Sequence, residues 1–387
     1  MSRVPLSVLD LIPISSGSNP REALRNTIDL ARRAEQFGYH RYWFAEHHLN
    51  PGVAGASPAV AIALAAAATS RIRVGSGGVQ LGHRTALSTV EEFGLLDAAH
   101  PGRIDLGLGR SAGKLPKPDS TAVRPTPEPA CDRPVTDAVS RTVDGLLIPP
   151  AFSVEKLAGL PGLAERLRLN HELLHLPGAE SADYGEQVDD ILALLHGQYR
   201  TPNGQEAHTT PGEGADVQVW ILGSSAGQSA SVAGKLGLRF AANYHVSPGT
   251  VLEAVDAYRA AFQPSADLSQ PYVTVSADVV VAPDDQTAAE LARGYGAWVR
   301  SIRTGEGAIK FPTPQQAAEH QWTEADLALV ADRTATQFTG SPSTVADKLD
   351  TLQRVTGADE LHITTITHDH TDRVRSYELL AREWDRT

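Results

Sequence analysis

The fold turns on residues 4–46, VPLSVLDLIPISSGSNPREALRNTIDLARRAEQFGYHRYWFAE. The apolar run at 4–10 reads as a buried strand. Asn19 then stands where a helix needs an N-cap, Pro20 fills the first helical position and Gly38 supplies the stop, so the residues between them read as a helix. RYWFAE follows as a second strand, and strand, capped helix and strand make one βα repeat feeding a parallel sheet.

Outward from that stretch the unit recurs. Ser57 and Pro58 repeat the cap-and-proline signal before SPAVAIALAAAATS; RIRVGSGGVQL is a third strand, ALSTVEEFGLLDAAHPG its helix, and RIDLGLGR (103–110) a fourth strand. Residues 113–135 are proline-rich with little apolar content and read as an excursion over the surface, a lid or insertion that extends through helical material to about residue 175. The rhythm resumes with DVQVWILGSS (216–225), LRFAANYH, YVTVSADVVVA (272–282) and ADELHITTIT (358–367), each followed by a helical pattern, with a second insertion over 300–340. Eight βα units in one chain predict a single-domain (β/α)8 TIM barrel over 1–387, with insertions after strand 4 and after strand 7. A doubly wound open sheet is the alternative, but the glycine-rich first turn it requires is missing.

Composition narrows the function. The chain has 387 residues, 41% apolar and 21% charged, and a formal net charge of −12 with both signs interspersed, so no basic stripe offers itself to nucleic acid or anionic lipid. The longest apolar run, AVAIALAAAA (59–68), is too short to span a membrane, and the N-terminal residues lack the apolar core of an export signal. Cys131 is the single cysteine, which excludes an intramolecular disulfide and any multi-cysteine metal site, and sets a cytoplasmic expectation.

In such barrels the chemistry sits where strands end. Strand two ends in Glu46, His47 and His48, strand four in Arg110, strand five in Gly223, Ser224 and Ser225, strand six in Asn243, Tyr244 and His245, and strand eight in Thr365, Thr367 and His368. GSGG (75–78) interrupts a buried strand with three glycines, which points to close backbone approach or to a bulge; a dinucleotide fingerprint would need glycine at Gln80. The serine-rich turn at 223–229 opens a helix and offers backbone N–H groups to a phosphate, with Arg110 a candidate partner; a plain serine cap or a structural salt bridge remain the alternatives. For EHH, neighbouring histidines on an extended segment face apart and no His-x-x-x-His is present, which disfavours zinc; structural histidines, or an acid/base histidine oriented by Glu46, are the other readings.

As a set, YWFAEHH, VGSGGVQL, EEFGLLDAAHPGRIDLGLGR, WILGSS, AGKLGLRFAANYHVSP and FTGSP resemble the bacterial luciferase-like family of flavin-dependent monooxygenases across essentially the whole chain. The resemblance implies a barrel that uses reduced FMN and O2 to oxygenate a small organic substrate through a flavin C4a-peroxide, working as a homodimer fed by a separate flavin reductase. It gives His47 the catalytic role. It also implies a non-proline cis peptide under the flavin near Gly77 and Gly78, an FMN phosphate held by Arg110, Ser224 and Ser225, and Gln80 and Gly223 as further cofactor-binding positions, with no metal. The reactive cysteine of luciferase is Gly109 here, so aldehyde-dependent light emission is not expected. An F420-dependent hydride-transfer enzyme of the same fold, a non-catalytic flavin-binding protein and a metal-dependent hydrolase are the rival expectations.

Overall fold

The structure is a computed structural model that describes residues 3–110, 139–152 and 161–385. The remainder of the 113–175 insertion, Cys131 included, lies outside the described residues. Twelve strands are present among them: β1 (Leu6–Asp10), β2 (Arg41–Phe44), β3 (Arg73–Ser76), β4 (Val79–Gln80), β5 (Ile104–Gly109), β6 (Arg141–Val143), β7 (Leu146–Ile148), β8 (Gln218–Gly223), β9 (Arg239–Asn243), β10 (Val273–Val281), β11 (Phe338–Gly340) and β12 (Glu360–Thr364). Eight of them close a parallel barrel in the order β1–β2–β3–β5–β8–β9–β10–β12, with Leu6 beside Leu361 at the closure. The (β/α)8 expectation holds, and β4 continues the third strand after a break at Gly77 and Gly78.

Because both faces of each strand are covered, alternate residues enter two separate cores. Val8, Tyr42, Phe44, Val74, Leu106, Ile221, Phe240, Val275 and Ile363 face outward and pack under the helices. Leu9, Trp43, Trp220 and Ala241 face the barrel axis, where they join Trp298, Phe311 and Ile366. The helices start where local chemistry directs. Asn19 accepts from the Glu22 N–H ahead of helix Pro20–Gln36, and Gly38 follows it with φ +87°, a conformation glycine adopts at little cost.

The N-terminal end of the barrel is filled by charge. Arg41 reaches Asp105 at 2.9 Å, Glu360 at 3.0 Å and the Gln218 side-chain oxygen at 2.8 Å, while Arg73 meets the other Asp105 oxygen at 2.7 Å. Trp43 donates its indole N–H to Asp105 at 2.9 Å, and Tyr272 and Ser7 donate to Glu360. This plug lets the interior above it stay open.

The glycines of β3 and β5 are where these strands press together. A Cβ on Gly107 would lie 2.0 Å from the Ser76 carbonyl oxygen, and one on Gly75 would lie 2.5 Å from the Asp105 Cβ. Both insertions also have form. Asp144 and Gly145, at φ +46° and +92°, make the two-residue turn of the antiparallel hairpin β6–β7, a turn signal the sequence reading passed over. Helix Pro161–Leu174 follows. Helix Tyr295–Arg303 leads into the second insertion, which supplies helices Pro314–Glu319 and Glu324–Thr336 before β11 pairs with the far end of β10.

Replacing Asp105 by Asn removes the charge that Arg41 and Arg73 share. Arg41 then keeps only Glu360 and the partly buried Arg73 loses its carboxylate partner, a loss expected to cost ~3–5 kcal/mol, read as a lowered urea midpoint against wild type; an unchanged midpoint would mean the plug is not what closes the barrel floor.

Candidate active site

A cavity of about 530 Å³ opens at the C-terminal ends of the strands. β2 delivers Glu46, His47 and His48 to it, in a loop fixed by Ala45 N–H donating to Asp10 O (3.0 Å) and His47 N–H donating to Gly55 O (2.7 Å). His47 faces away from Glu46 and His48, as alternation along an extended segment requires. His48 turns back to Glu46, with Nε2 to Oε1 at 2.9 Å, and His47 lines the cavity with its Nδ1 unpartnered among the described residues.

Glu46 is surrounded by donors. His83, from the short helical turn Leu81–His83, comes within 3.2 Å of the same oxygen as His48; the Gln80 N–H donates to the other at 2.9 Å, and Arg84 lies at 3.7 Å. Burial would raise its pKa, but the hydrogen bonds from His48, His83 and Gln80 outweigh burial and hold it at about 2. Glu46, His48 and His83 place their ligand-type atoms within 4.8 Å of one another, so His83 is the third partner that the sequence did not reveal. With Arg84 adjacent, the group reads as an anchored carboxylate rather than a cation site. Gln80 completes the anchor by donating its side-chain amide to Glu46 O at 2.8 Å.

His47, by contrast, is uncharged at neutral pH. Withdrawal from water, reinforced by neighbouring His48, pulls its pKa to about 4. His362 is likewise held near 4 by burial, its ring tilted against Trp43 at 4.2 Å between centroids, and His245 is driven well below its ordinary value by burial and by Arg333. The cavity therefore presents neutral imidazoles. Asn243 Oδ1, His362 Nε2, Thr364 Oγ1 and Asn170 Oδ1 are also buried without partners among the described residues, and all four residues line the cavity.

A smaller cavity of about 220 Å³ adjoins the first and shares Gly109, Arg110, Leu222 and Asn243 with it. Gly223, Ser224, Ser225, Gly227, Gln228 and Ser229 line the rest, at the start of helix Gln228–Lys235. Arg110 lines it too, and its hydrogen bond among the described residues is a 3.5 Å contact to Gln228. The peptide Gly77–Gly78 is cis, at the wall of the main cavity. All eight predicted site positions thus line one or other of two joined cavities.

Other rim expectations need correction. Thr365, Thr367 and His368 do not line the cavity; His362, Thr364 and Ile366 do, because strand eight alternates one residue out of phase with the expected set. Tyr244 points away and donates to Leu147 O at 2.6 Å, holding the hairpin. Several further lining residues were not anticipated: Leu163, Arg166, Leu167 and Asn170 from the first insertion, Trp298 just ahead of the second, and Ile302 and Arg333 from within it. Arg333 pairs with Asp278 at 3.2 Å and with the Tyr295 hydroxyl at 2.8 Å. The roof is joined at Asn50, whose Oδ1 accepts from Arg166 (2.9 Å) and from the Ala308 N–H (2.8 Å) while its Nδ2 donates to His48 O (2.8 Å).

Comparison with known proteins places this architecture. Residues 4–118 and 154–360 match the family model described as luciferase-like monooxygenase, and the chain belongs to that family of oxidoreductases. It is 34% identical over 383 residues to the uncharacterized protein YvbT of Bacillus subtilis (98% of this chain, 96% of that one), and 33% identical over 376 residues to the luciferase-like monooxygenase of Escherichia coli K12 (97% and 96%). Among solved structures, apo-MsnO8 superposes with a TM-score of 0.73 at 30% identity, covering 100% of this chain and 98% of that one. More distant barrels share the fold: a type II Baeyer–Villiger monooxygenase component in complex with FMN (TM-score 0.62, 17% identity, 98% of each chain) and an F420-dependent secondary alcohol dehydrogenase (0.58, 14%, 99% of each chain).

The neutral histidines give an acid-side prediction. Unfolded histidine takes a proton near 6.5, whereas His47 and His362 resist until about 4, so between those values the unfolded chain binds more protons than the folded one. Stability is therefore full above about pH 6.5 and falls as pH is lowered through that window. Melting temperatures should drop from neutral pH toward pH 4, and His362→Gln should flatten the slope; an unaltered slope would contradict the assignment.

Proposed function

We propose that this chain is a monooxygenase that takes reduced FMN from a separate flavin reductase, in the cytoplasm, and uses it with O2 to oxygenate a small organic substrate. One observation carries the reading: a cavity walled by neutral imidazoles and unpartnered polar atoms opens directly into a second one built from Arg110 and a serine-rich helix start. The second suits a phosphate, because backbone N–H groups at a helix N-terminus and a guanidinium both favour an anion. Arg110, Ser224 and Ser225 would hold the phosphate, and Gly77, Gly78, Gln80 and Gly223 would border the rest of the cofactor. When bound, reduced FMN supplies the electrons that activate O2.

The protein's own part is positioning, proton handling and exclusion of water. Neutral His47 can take up or release a proton at Nδ1, while Glu46, fixed by His48, His83 and Gln80, holds the loop that carries it. Leu9, Leu11, Val53, Trp298 and Ile366 line the cavity with apolar surface and keep bulk water from the reacting centre.

The partner in the assembly is a second copy of the chain. Helix Pro58–Ala68 carries no charged residue, yet Val60 is 60% and Leu64 39% exposed, next to Leu87 at 47% and Leu95 at 63% on the neighbouring helix Ala86–Ala99. An apolar helix with a bare outer stripe calls for a covering surface.

Anaerobic titration with reduced FMN and with reduced F420, read by absorbance and by protein fluorescence, tests the cofactor. FMN is expected to bind and Arg110→Ala to weaken it ~10- to 100-fold. Preferential binding of F420 would replace the reading by hydride transfer, and oxygen-inert FMN would make the chain a carrier. His47→Ala should retain FMN binding but slow product formation ~10²- to 10⁴-fold. Light scattering after size exclusion should give a dimer for wild type and a monomer for the Leu64→Glu, Leu95→Glu double variant.

A further inference from the structure

Helix Pro161–Leu174 brings Leu163, Arg166, Leu167 and Asn170 to the main cavity, the i, i+3, i+4, i+7 spacing of one helical face. Three of these four positions need no special account, since two leucines and an amide are ordinary lining for a pocket. Arg166 does. Its hydrogen bonds to the described residues all go to neutral oxygens: Leu49 O at 2.7 Å, Asn50 Oδ1 at 2.9 Å, Glu306 O at 3.3 Å and His48 O at 3.5 Å.

Those bonds use Nη1 and Nη2, and Nε donates to no described residue. Burial alone pulls its pKa down, with no carboxylate pulling it back.

The other charges on the cavity are accounted for. Arg333 is paired with Asp278, Glu46 is held by His48, His83 and Gln80, and Arg110 is shared with the smaller adjoining cavity, where the proposed phosphate site takes it up. Among the described residues that line the main cavity, two cations lack an anionic partner: Arg110, which the proposed function gives to the cofactor phosphate, and Arg166. One turn further along the same face, the Asn170 amide has a buried oxygen with no partner, and either end of such an amide can be offered to a ligand. Leu11, Val53, Trp298, Ile302 and Ala308 supply apolar wall elsewhere in the same cavity.

We propose that Arg166 and Asn170 form a carboxylate-binding subsite, and that the substrate of this cavity is a small organic acid whose apolar portion lies against the Leu11, Val53 and Trp298 wall. The inference rests on the reading of this cavity as the substrate site. A planar guanidinium matches a carboxylate in shape and charge, and an amide N–H adds a second donor. Arg166 also grips the backbone one and two residues beyond His47, so the anchored anion fixes the ligand relative to the loop that carries the catalytic histidine.

The test is a binding titration on the full chain without cofactor, followed by tryptophan fluorescence, since Trp43 and Trp298 both line the cavity. Octanoate, 1-octanol and octylamine are the probes, alike in tail and different in charge. Octanoate is expected to bind at least ~10-fold more tightly than 1-octanol, with octylamine weakest. Arg166→Gln should erase that advantage while 1-octanol binding persists, and Asn170→Leu should reduce it in part. Equal affinities in wild type, or an octanoate preference that survives both substitutions, overturns the proposal. If Arg166→Gln also loses 1-octanol, Arg166→Lys decides: a retained preference supports the proposal and a lost one overturns it. FMN takes no part in the titration, so absence of FMN binding would leave this result standing, and loss of the carboxylate preference beside intact FMN binding would overturn this inference alone.

Discussion

Everything above the barrel floor depends on Arg41. A guanidinium at the start of β2 bridges Asp105 on β5 and Glu360 on β12, so one side chain ties three strands across the interior. Barrels of this class usually fill their interior with stacked branched side chains. Here the lowest layer is ionic and hydrogen-bonded at nearly every polar atom, which is the condition under which buried charge is tolerable. The layer above it is aromatic, with Trp43 packed edge-on to Trp220 at 5.0 Å, and only then does the interior open into a cavity.

That order separates stability from chemistry. The charges at the floor are compensated pair by pair, whereas several polar groups at the top have no hydrogen-bond partner among the described residues: His47 Nδ1, Asn243 Oδ1, His362 Nε2 and Thr364 Oγ1. Unpartnered buried groups cost stability and persist where a ligand completes them. Glu46 stands at the boundary between the two regimes. It satisfies its own charge fully, and in doing so leaves His47 free to face the cavity.

How much was legible follows from how local each determinant is. Caps and stops such as Asn19, Pro20 and Gly38 act within one turn, so the βα units and the barrel could be read directly. The outward and inward faces of strand eight could not, because HITTIT is buried on both faces and carries no polar alternation to set its phase. Arg110 and the Ser224–Ser225 turn were visible as rim residues at strand ends. His83 was not, since its approach to Glu46 depends on a break in the third strand and a short turn after it. Arg166 lies 118 residues from His48 in sequence, and no periodicity reports a contact of that span.

Asn50 carries a consequence for how such a barrel can diversify. Its one amide joins the loop after β2, the helix of the first insertion and the 306–308 segment of the second, and Gly52 beside it lies so close to Ile309 that a Cβ would fall 1.8 Å from the carbonyl oxygen. The two insertions are thus not independent modules. A change of shape in either insertion is therefore felt at the β2 loop and at the other insertion, so reshaping this pocket means altering all three segments in concert.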